Sequence, residues 1–216
     1  MKSPRIVLTS VLIAALPLCA LGAAFPEPAV DEPVANAHGS QTAVLAGGCF
    51  WGMEGLFERV KGVKNVVSGF AGGEKRTAHY EQVSDGNTGH AESVQITFDP
   101  AQITYGQLLM IYFSVAHDPT QVNRQGPDRG TQYRSAIFYA DDEQKKVAEA
   151  YIKQLDGAKV FSTPIATQVV PLKGFYAAEA YHQHFLDNNM NYPYIVYNDL
   201  PKLQALKKEY PQFCRR

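Results

Sequence analysis

This chain of 216 residues contains little cysteine and tryptophan, and it has almost no excess of charge of either sign. It has three cysteines and one tryptophan, and its 20 basic residues nearly balance its 21 acidic ones. Without a basic excess or a polybasic run, we expect no nucleic-acid partner. No CxxC pair is present, which argues against a cysteine-rich zinc module. Hydrophobic residues still make up 45% of the chain, enough for one globular domain with a sizeable core.

Long apolar runs are also lacking, apart from one stretch at the start. Residues 6–18 are mostly apolar, follow Lys2 and Arg5, and precede a few small residues. This order predicts a secretory signal peptide over residues 1–24, too short to span a membrane comfortably. Cleavage would remove Cys19; a lipidated Cys19 is the alternative, disfavoured because the preceding leucine is not small. We therefore expect an exported, periplasmic protein without stable membrane association.

The segment after the signal has little to bury. Residues 25–41 contain three prolines together with alanine and acidic residues, a composition that predicts a disordered tether. The ordered domain is predicted over residues 42–216, with a C-terminal arm from about residue 186.

Apolar periodicity within the domain predicts the α+β fold class. Val94, Ile96 and Phe98 alternate with polar residues as in a half-buried strand, and Thr104 with Gln107 forms a capping box before a helix. The order of elements predicts a mixed sheet with split βαβ units and helices packed on it, a ferredoxin-like α/β sandwich. The predicted strands are 44–46, 63–70, 94–98, 136–139 and 165–170, and the predicted helices are 50–60, 104–115, 141–155, 176–185 and 200–210.

Cys49 is the strongest candidate for chemistry on local grounds. It follows Gly47 and Gly48 at a predicted strand-to-helix junction. A helix N-terminus favours an anion, so we expect this position to lower the pKa of the thiol. Phe50 and Trp51 lie about 100° apart on the first turn, so at least one ring can wall a pocket beside the sulfur. The alternative is a buried core cysteine with no reactivity.

The residues around Cys49 begin a series of motifs that resembles a known family. Gly48-Cys49-Phe50-Trp51-Gly52 is similar to the signature of the A-type peptide methionine sulfoxide reductases, and further blocks follow in that family's order over about residues 43–190. These blocks are Gly69-Phe70-Ala71-Gly72-Gly73, Tyr80, Gly89-His90-Ala91-Glu92, 117–121, 128–135 and 178–183.

This resemblance implies the enzyme's activity and the roles of its residues. It implies reduction of methionine S-sulfoxide, free or in proteins, with Cys49 as nucleophile and Glu92 as proton donor. Tyr80 and Tyr133 match phenols that hydrogen-bond the sulfoxide oxygen, and the first-turn aromatics, Phe50 and Trp51, match the site of the S-methyl group. No cofactor or metal is implied.

Two further positions carry weaker expectations. Asp128 matches a family position that organises the polar site, although a turn cap explains it nearly as well. Cys214 is the only cysteine left beside Cys49 after signal cleavage, so we expect it to resolve a Cys49 sulfenic acid. A thioredoxin-like dithiol is the donor that the resemblance implies, and a monomer is the expected state. An idle Cys214 or a permanent structural disulfide are the alternatives.

Other classes of function remain open at this point. His90, His117 or His182 could serve as the base of a Cys–His hydrolase, a reactive Cys49 could be peroxidatic, and a secreted binding module could hold both cysteines in a disulfide. A metal site is not expected, because His182 and His184 fall on different faces of a helix.

Overall fold

A six-stranded mixed sheet forms the central layer of the domain. The computed structural model describes residues 25–32 and 39–215, so the predicted signal peptide lies outside the described residues. The strand order is β7-β6-β1-β3-β2-β8, antiparallel except between β6 and β7. β4 and β5 form a separate two-stranded hairpin. The strands are β1 Gln41–Gly47, β2 Val63–Ala71, β3 Ala91–Phe98, β4 Arg124–Gln125, β5 Asp128–Arg129, β6 Ser135–Tyr139, β7 Gln168–Pro171 and β8 Phe175–Ala177.

Helices pack on this sheet and bury its apolar side chains. Thr104 and Gln107 form the predicted capping box at the start of α3, and Asp141 caps α4 through the Gln144 amide. Among the described residues, no helix combines the length and apolar character needed to cross a bilayer. The helices are α1 Phe50–Glu58, α2 Tyr80–Ser84, α3 Tyr105–Ile111, α4 Asp142–Gly157, α5 Phe185–Asn188 and α6 Leu200–Glu209, with wider π-turns at Tyr112–Ala116 and Ile195–Asp199.

The predicted α+β class and mixed sheet are confirmed, but one predicted helix is wrong. Residues 176–185 are mostly not helical, because Phe175–Ala177 pairs with the edge of β2 as strand β8. A short 3-10 turn follows, and His184 adopts a left-handed backbone conformation, with φ of 53°, just before α5. Backbone pairing with β2 overrides the weak helical pattern there.

The described residues of the predicted tether contact the domain. The Tyr151 hydroxyl donates to the Pro26 carbonyl at 2.6 Å, and the Gly106 amide donates to Asp31 Oδ1 at 2.8 Å. Gln154 also binds this segment, donating to Glu27 and accepting from Ala29. Residues 25–32 therefore lie against the domain, in contrast to the disorder that their composition predicts. Side chains of α4 bind backbone groups of residues 26–29, and the side chain of Asp31 accepts from the backbone of α3.

Candidate active site

Cys49 lies at the N-cap position of α1, directly after β1. Gly48 has a φ of 92°, and a Cβ there would lie 2.6 Å from the Gln125 side chain, so this turn accepts only glycine. The turn brings Cys49 over the end of the central strands, where its side chain is 8% exposed. The sulfur is therefore sheltered from water to a greater degree than the sequence predicts.

Glu92 reaches the start of α1 from the central strand β3. Its side chain is 3% exposed, and its Oε2 accepts a hydrogen bond from the Phe50 amide at 3.0 Å. Burial raises the pKa of Glu92 to about 8, although the Phe50 amide opposes that shift. The carboxyl group therefore holds a proton at neutral pH, and it is hydrogen-bonded to the residue that directly follows Cys49.

The pKa of Cys49 is shifted in the direction opposite to the expectation from sequence. Burial raises it well above its usual value, and the charges of Glu92 and Asp199 raise it further. The Trp51 amide, part of the helix N-terminus, lowers the pKa but is outweighed by burial. Protonation of Glu92 removes one of the charges that disfavour the thiolate. The resting site thus combines a thiol with a neutral carboxylic acid.

The two aromatic residues after Cys49 have different environments. Phe50 is fully buried, with its ring stacked 6.4 Å from that of Tyr80. Trp51 is half-buried and stacks on Phe185, with ring centroids 3.8 Å apart and planes 12° from parallel. Its indole nitrogen donates to His182 Nδ1 at 3.1 Å. Of the two rings, only Trp51 keeps an exposed part that a ligand can reach.

Tyr80 and Tyr133 approach Glu92 from two separate segments. Tyr80 begins the short helix α2, which is held by the Tyr80 amide donating to Glu179 Oε1 at 3.1 Å. Tyr133 ends the 3-10 turn that precedes β6. Burial raises the pKa of each phenol, and the charge of Glu92 raises both further. Both remain neutral hydrogen-bond donors near the carboxyl group across the physiological range.

The C-terminal segment supplies polar groups that the sequence analysis missed. The Tyr194 hydroxyl donates a short hydrogen bond to Asp128 Oδ2. Asp199 is fully buried and pairs with Lys202 Nζ at 3.1 Å. It packs directly on Gly52, where a Cβ would lie 2.0 Å from Asp199 Oδ1. A glycine in the first turn of a helix was the only signal in the sequence for this close approach.

Cys214 does not lie beside Cys49. It forms an isolated antiparallel bridge with Val60, beyond the last residue of α1, and both cysteines are free thiols. The nine residues of α1 lie between Cys49 and the segment at Val60, a length of about 14 Å at about 1.5 Å per residue. A disulfide needs Cα atoms within about 7 Å. The permanent disulfide weighed in the sequence analysis is therefore absent, and contact between the sulfurs requires the C-terminal segment to move.

The histidines considered as catalytic bases form hydrogen bonds with groups other than Cys49. His117 bonds Ser135 Oγ at 2.7 Å, and burial lowers its pKa to about 3. His90 accepts from the Gly73 amide, and His182 accepts from the indole of Trp51. Within the described ranges, no histidine nitrogen hydrogen-bonds Cys49. This arrangement does not favour the Cys–His hydrolase.

A sheltered thiol near a protonated carboxyl and two neutral phenols is an arrangement suited to thiol-based redox chemistry. Comparisons with known proteins agree with this class. The family model for peptide methionine sulfoxide reductase matches residues 41–213. Similar proteins include the peptide methionine sulfoxide reductase MsrA 2 of Mesorhizobium japonicum, 61% identical over 84% of this chain and 92% of that protein. The protein of the same name from Synechocystis is 55% identical over 86% of this chain and 87% of its own length.

Solved structures resemble this one over most of the domain. Mxr1 of Saccharomyces cerevisiae in its reduced form has a TM-score of 0.63 and 36% identity, covering 70% of this chain and 87% of that one. Methionine sulfoxide reductase A of Corynebacterium diphtheriae has a TM-score of 0.61 and 37% identity, covering 76% and 82%. This chain belongs to the peptide methionine sulfoxide reductase family, and the relatives it matches are of the A type. Its activity is that of a peptide-methionine (S)-S-oxide reductase.

Proposed function

We propose that Cys49 attacks the sulfur of methionine S-sulfoxide while Glu92 protonates the departing oxygen. The observation that carries this proposal is the hydrogen bond from the Phe50 amide, which holds the Glu92 carboxyl group next to Cys49. Burial raises the pKa of that group to about 8 and so keeps it protonated at neutral pH. A sulfoxide becomes electrophilic once its oxygen is protonated or strongly hydrogen-bonded, so an acid at this point is what the reaction requires.

The other site residues hold the substrate. Tyr80 and Tyr133 donate hydrogen bonds to the sulfoxide oxygen, and Trp51 contacts the S-methyl group above the buried ring of Phe50. Asp128, held by Tyr194, organises the polar side of the site.

Cys49 first loses its proton, and the thiolate forms a bond to the substrate sulfur as Glu92 gives its proton to the sulfoxide oxygen. On collapse, the new sulfur–sulfur bond and the substrate's sulfur–oxygen bond break while the hydroxyl group moves to Cys49. This leaves methionine and a sulfenic acid, and Glu92 takes up a proton equivalent to the one that the thiol released.

Cys214 then resolves the sulfenic acid in our proposal. Its thiol attacks Cys49, a disulfide forms and water leaves. This step requires release of the C-terminal segment, which is held by Lys61 donating to Phe213 at 2.6 Å and Arg215 donating to Arg59 at 2.9 Å. Arg215 also donates to the Val60 carbonyl, so it does not activate Cys214, whose pKa is raised by burial.

The resolving step is tested by replacing Cys214 with serine. We expect one equivalent of methionine per enzyme, a dimedone adduct on Cys49, and loss of turnover with a thioredoxin-like donor. Turnover with that donor at the wild-type rate would instead show that the donor attacks Cys49 directly.

The chemistry as a whole is tested with separated sulfoxide epimers. With dithiothreitol as reductant, we expect methionine to form from the S epimer of a peptide-bound sulfoxide and not from the R epimer. Equal turnover of both epimers, or none of either, would contradict the proposal. Peroxide turnover exceeding that of the sulfoxide would favour the peroxidatic alternative.

Export is a separate part of the proposal. The order of charged, apolar and small residues over 1–24 supports secretion, so the enzyme would repair exported proteins with an exported thioredoxin-like dithiol as donor. Mass spectrometry of the protein from its native envelope should show a mature N-terminus near Ala23 or Phe25. A lipid mass on Cys19 would favour the lipoprotein alternative.

A further inference from the structure

Exposed apolar side chains are concentrated in one segment of the chain. Of the seven large hydrophobic residues exposed among those that the structure describes, five lie between residues 181 and 197. Single exposed apolar residues are ordinary, whereas a group of them marks a surface that another molecule covers. Two of the five, Tyr181 and Tyr192, are 62% and 49% exposed. We call these two rings the aromatic rim.

Each tyrosine of the aromatic rim is joined to Trp51 through one intervening ring. The ring centroid of Tyr181 lies 4.2 Å from that of His182, which lies 5.9 Å from the indole and accepts its N–H. Tyr192 packs edge-on against Phe185 at 6.0 Å, and Phe185 stacks on the indole at 3.8 Å. His182 meets the nitrogen edge of the indole, whereas Phe185 covers one of its faces. The two tyrosines therefore flank Trp51 in different directions.

The aromatic rim lies within reach of a peptide whose sulfoxide is bound at Trp51. Because two ring contacts link each tyrosine to the indole, both lie within about 10 Å of it, the length of about three residues of extended chain at 3.3 Å each. Residues up to about three positions before or after an oxidised methionine can therefore contact the rim. The free amino acid has no such flanking residues.

The backbone that carries the aromatic rim is fixed by hydrogen bonds. The side-chain amide of Gln183 donates to two backbone carbonyls, both at 3.0 Å, and so holds the chain just after Tyr181. The Tyr192 amide donates to the Asn189 carbonyl at 2.8 Å. Two rings on a fixed backbone form a largely preformed surface, so little ordering is needed when a peptide binds.

We infer that the aromatic rim binds the residues that flank methionine sulfoxide in an extended peptide, with a preference for apolar or aromatic side chains. The inference rests on the proposed function, because it requires the sulfoxide to lie at Trp51. Tyrosine suits this role, since its ring offers a large apolar surface with a polar tip at a low cost in conformational entropy. The substrate class that follows is a methionine sulfoxide in an unfolded segment, whose apolar neighbours are accessible.

Kinetics with a matched pair of peptides test the inference. Both peptides carry one methionine S-sulfoxide, flanked on each side by two phenylalanines in one and by two glycines in the other. N-acetyl-methionine S-sulfoxide amide is the substrate without flanking residues. With dithiothreitol as reductant, we expect the wild type to have a higher kcat/KM for the phenylalanine peptide than for the glycine peptide. Tyr181→Ser and Tyr192→Ser should each lower that ratio about two- to tenfold, mainly through KM, because the rings bind the substrate and the transition state alike.

Two further variants serve as controls. Tyr181→Phe keeps the ring and should keep the wild-type ratio. Tyr197→Ser is matched in residue type and segment: Tyr197 is 79% exposed, but within the described part of the chain its ring contacts neither His182 nor Phe185. Its loss should leave the ratio unchanged.

The three substrates separate failure of this inference from failure of the proposed function. If the wild type reduces the N-acetyl amide but has equal kcat/KM for the two peptides, the inference is overturned and the proposed function stands. A loss of the ratio in Tyr197→Ser as large as in the two rim variants would also overturn the inference. So would a defect of the rim variants that appears only with a thioredoxin-like donor, which would assign the rim to the donor. Reduction of none of the three substrates would overturn both.

Discussion

A free cysteine lies near each end of helix α1. Comparing the two shows what distinguishes a reactive site from an isolated thiol. Cys49 caps the start of the helix, among a protonated carboxyl, two phenols and a partly exposed indole. Cys214 lies past the far end, paired through its backbone with Val60. Burial raises the pKa of both thiols. The difference therefore lies in what surrounds each sulfur: only the first end provides an acid and donors for an oxygen atom.

Replacing each cysteine with serine is the most severe test of this contrast. Cys49→Ser should abolish reduction of the S epimer with any reductant, because a serine hydroxyl is a poor nucleophile toward sulfur. Cys214→Ser should still release one equivalent of methionine in a single turnover. The measurement is methionine formed per enzyme, with circular dichroism to confirm the fold. Appreciable turnover by Cys49→Ser would remove the start of α1 from the chemistry.

Loss of the acid at the first end should have the next largest effect. Glu92→Gln keeps the size of the side chain but removes its proton, so the first chemical step should slow by about 10²–10⁴. In the wild type, the reaction needs Glu92 protonated and Cys49 deprotonated, and the pKa of Cys49 is raised well above its usual value. The rate should therefore rise with pH up to about 8 and level off above it, where loss of the Glu92 proton offsets the growing thiolate fraction.

Single-turnover methionine release over pH 6–10 measures both effects. The exposed Glu143→Gln serves as the control and should keep the wild-type profile. A wild-type rate in Glu92→Gln would show that the acid lies elsewhere, and a levelling-off near pH 8 that survives in this variant would assign the titration to another group.

The comparison of the two ends also shows how much of the site can be predicted from the sequence. Cys49 and Glu92 could be identified from motifs, and the capping box at Thr104 from its pattern alone, because these signals are local. The raised pKa of Cys49 could not be predicted, because it depends on burial and on Asp199, a residue 150 positions away. Strand β8 was missed for a similar reason, since its pairing with β2 is not encoded in residues 175–177 themselves.

Tyr194 could not be identified from the sequence. Replacing it tests whether its hydrogen bond to Asp128 supports the site at the start of α1. Tyr194→Phe removes the short hydrogen bond to Asp128 and leaves a half-buried carboxyl group without that donor. A hydrogen bond to a charged group contributes about 1.5–3 kcal/mol to stability. Because Asp128 organises the site in our proposal, kcat/KM should fall, by about tenfold where that contribution serves to position Asp128 for the reaction. Tyr197→Phe, which alters an exposed ring in the same segment, is the control. Equal kinetics in the two variants would mean that Asp128 does not depend on Tyr194.

The smallest expected effect concerns the close packing of Asp199 on the first turn of α1. Gly52→Ala places a Cβ 2.0 Å from Asp199 Oδ1 and 3.0 Å from Lys202 Nζ, so the buried pair must shift. Overpacking of this kind costs about 1–3 kcal/mol in the free energy of unfolding. Gly157→Ala, at the end of α4, meets nothing within 4 Å and should change that energy by less than about 1 kcal/mol, in the stabilising direction. Urea unfolding of the two variants measures the difference. Equal stabilities would show that Asp199 moves aside freely. A loss of activity in Gly52→Ala, larger than its loss of stability explains, would place the Asp199–Lys202 pair among the groups that position Cys49.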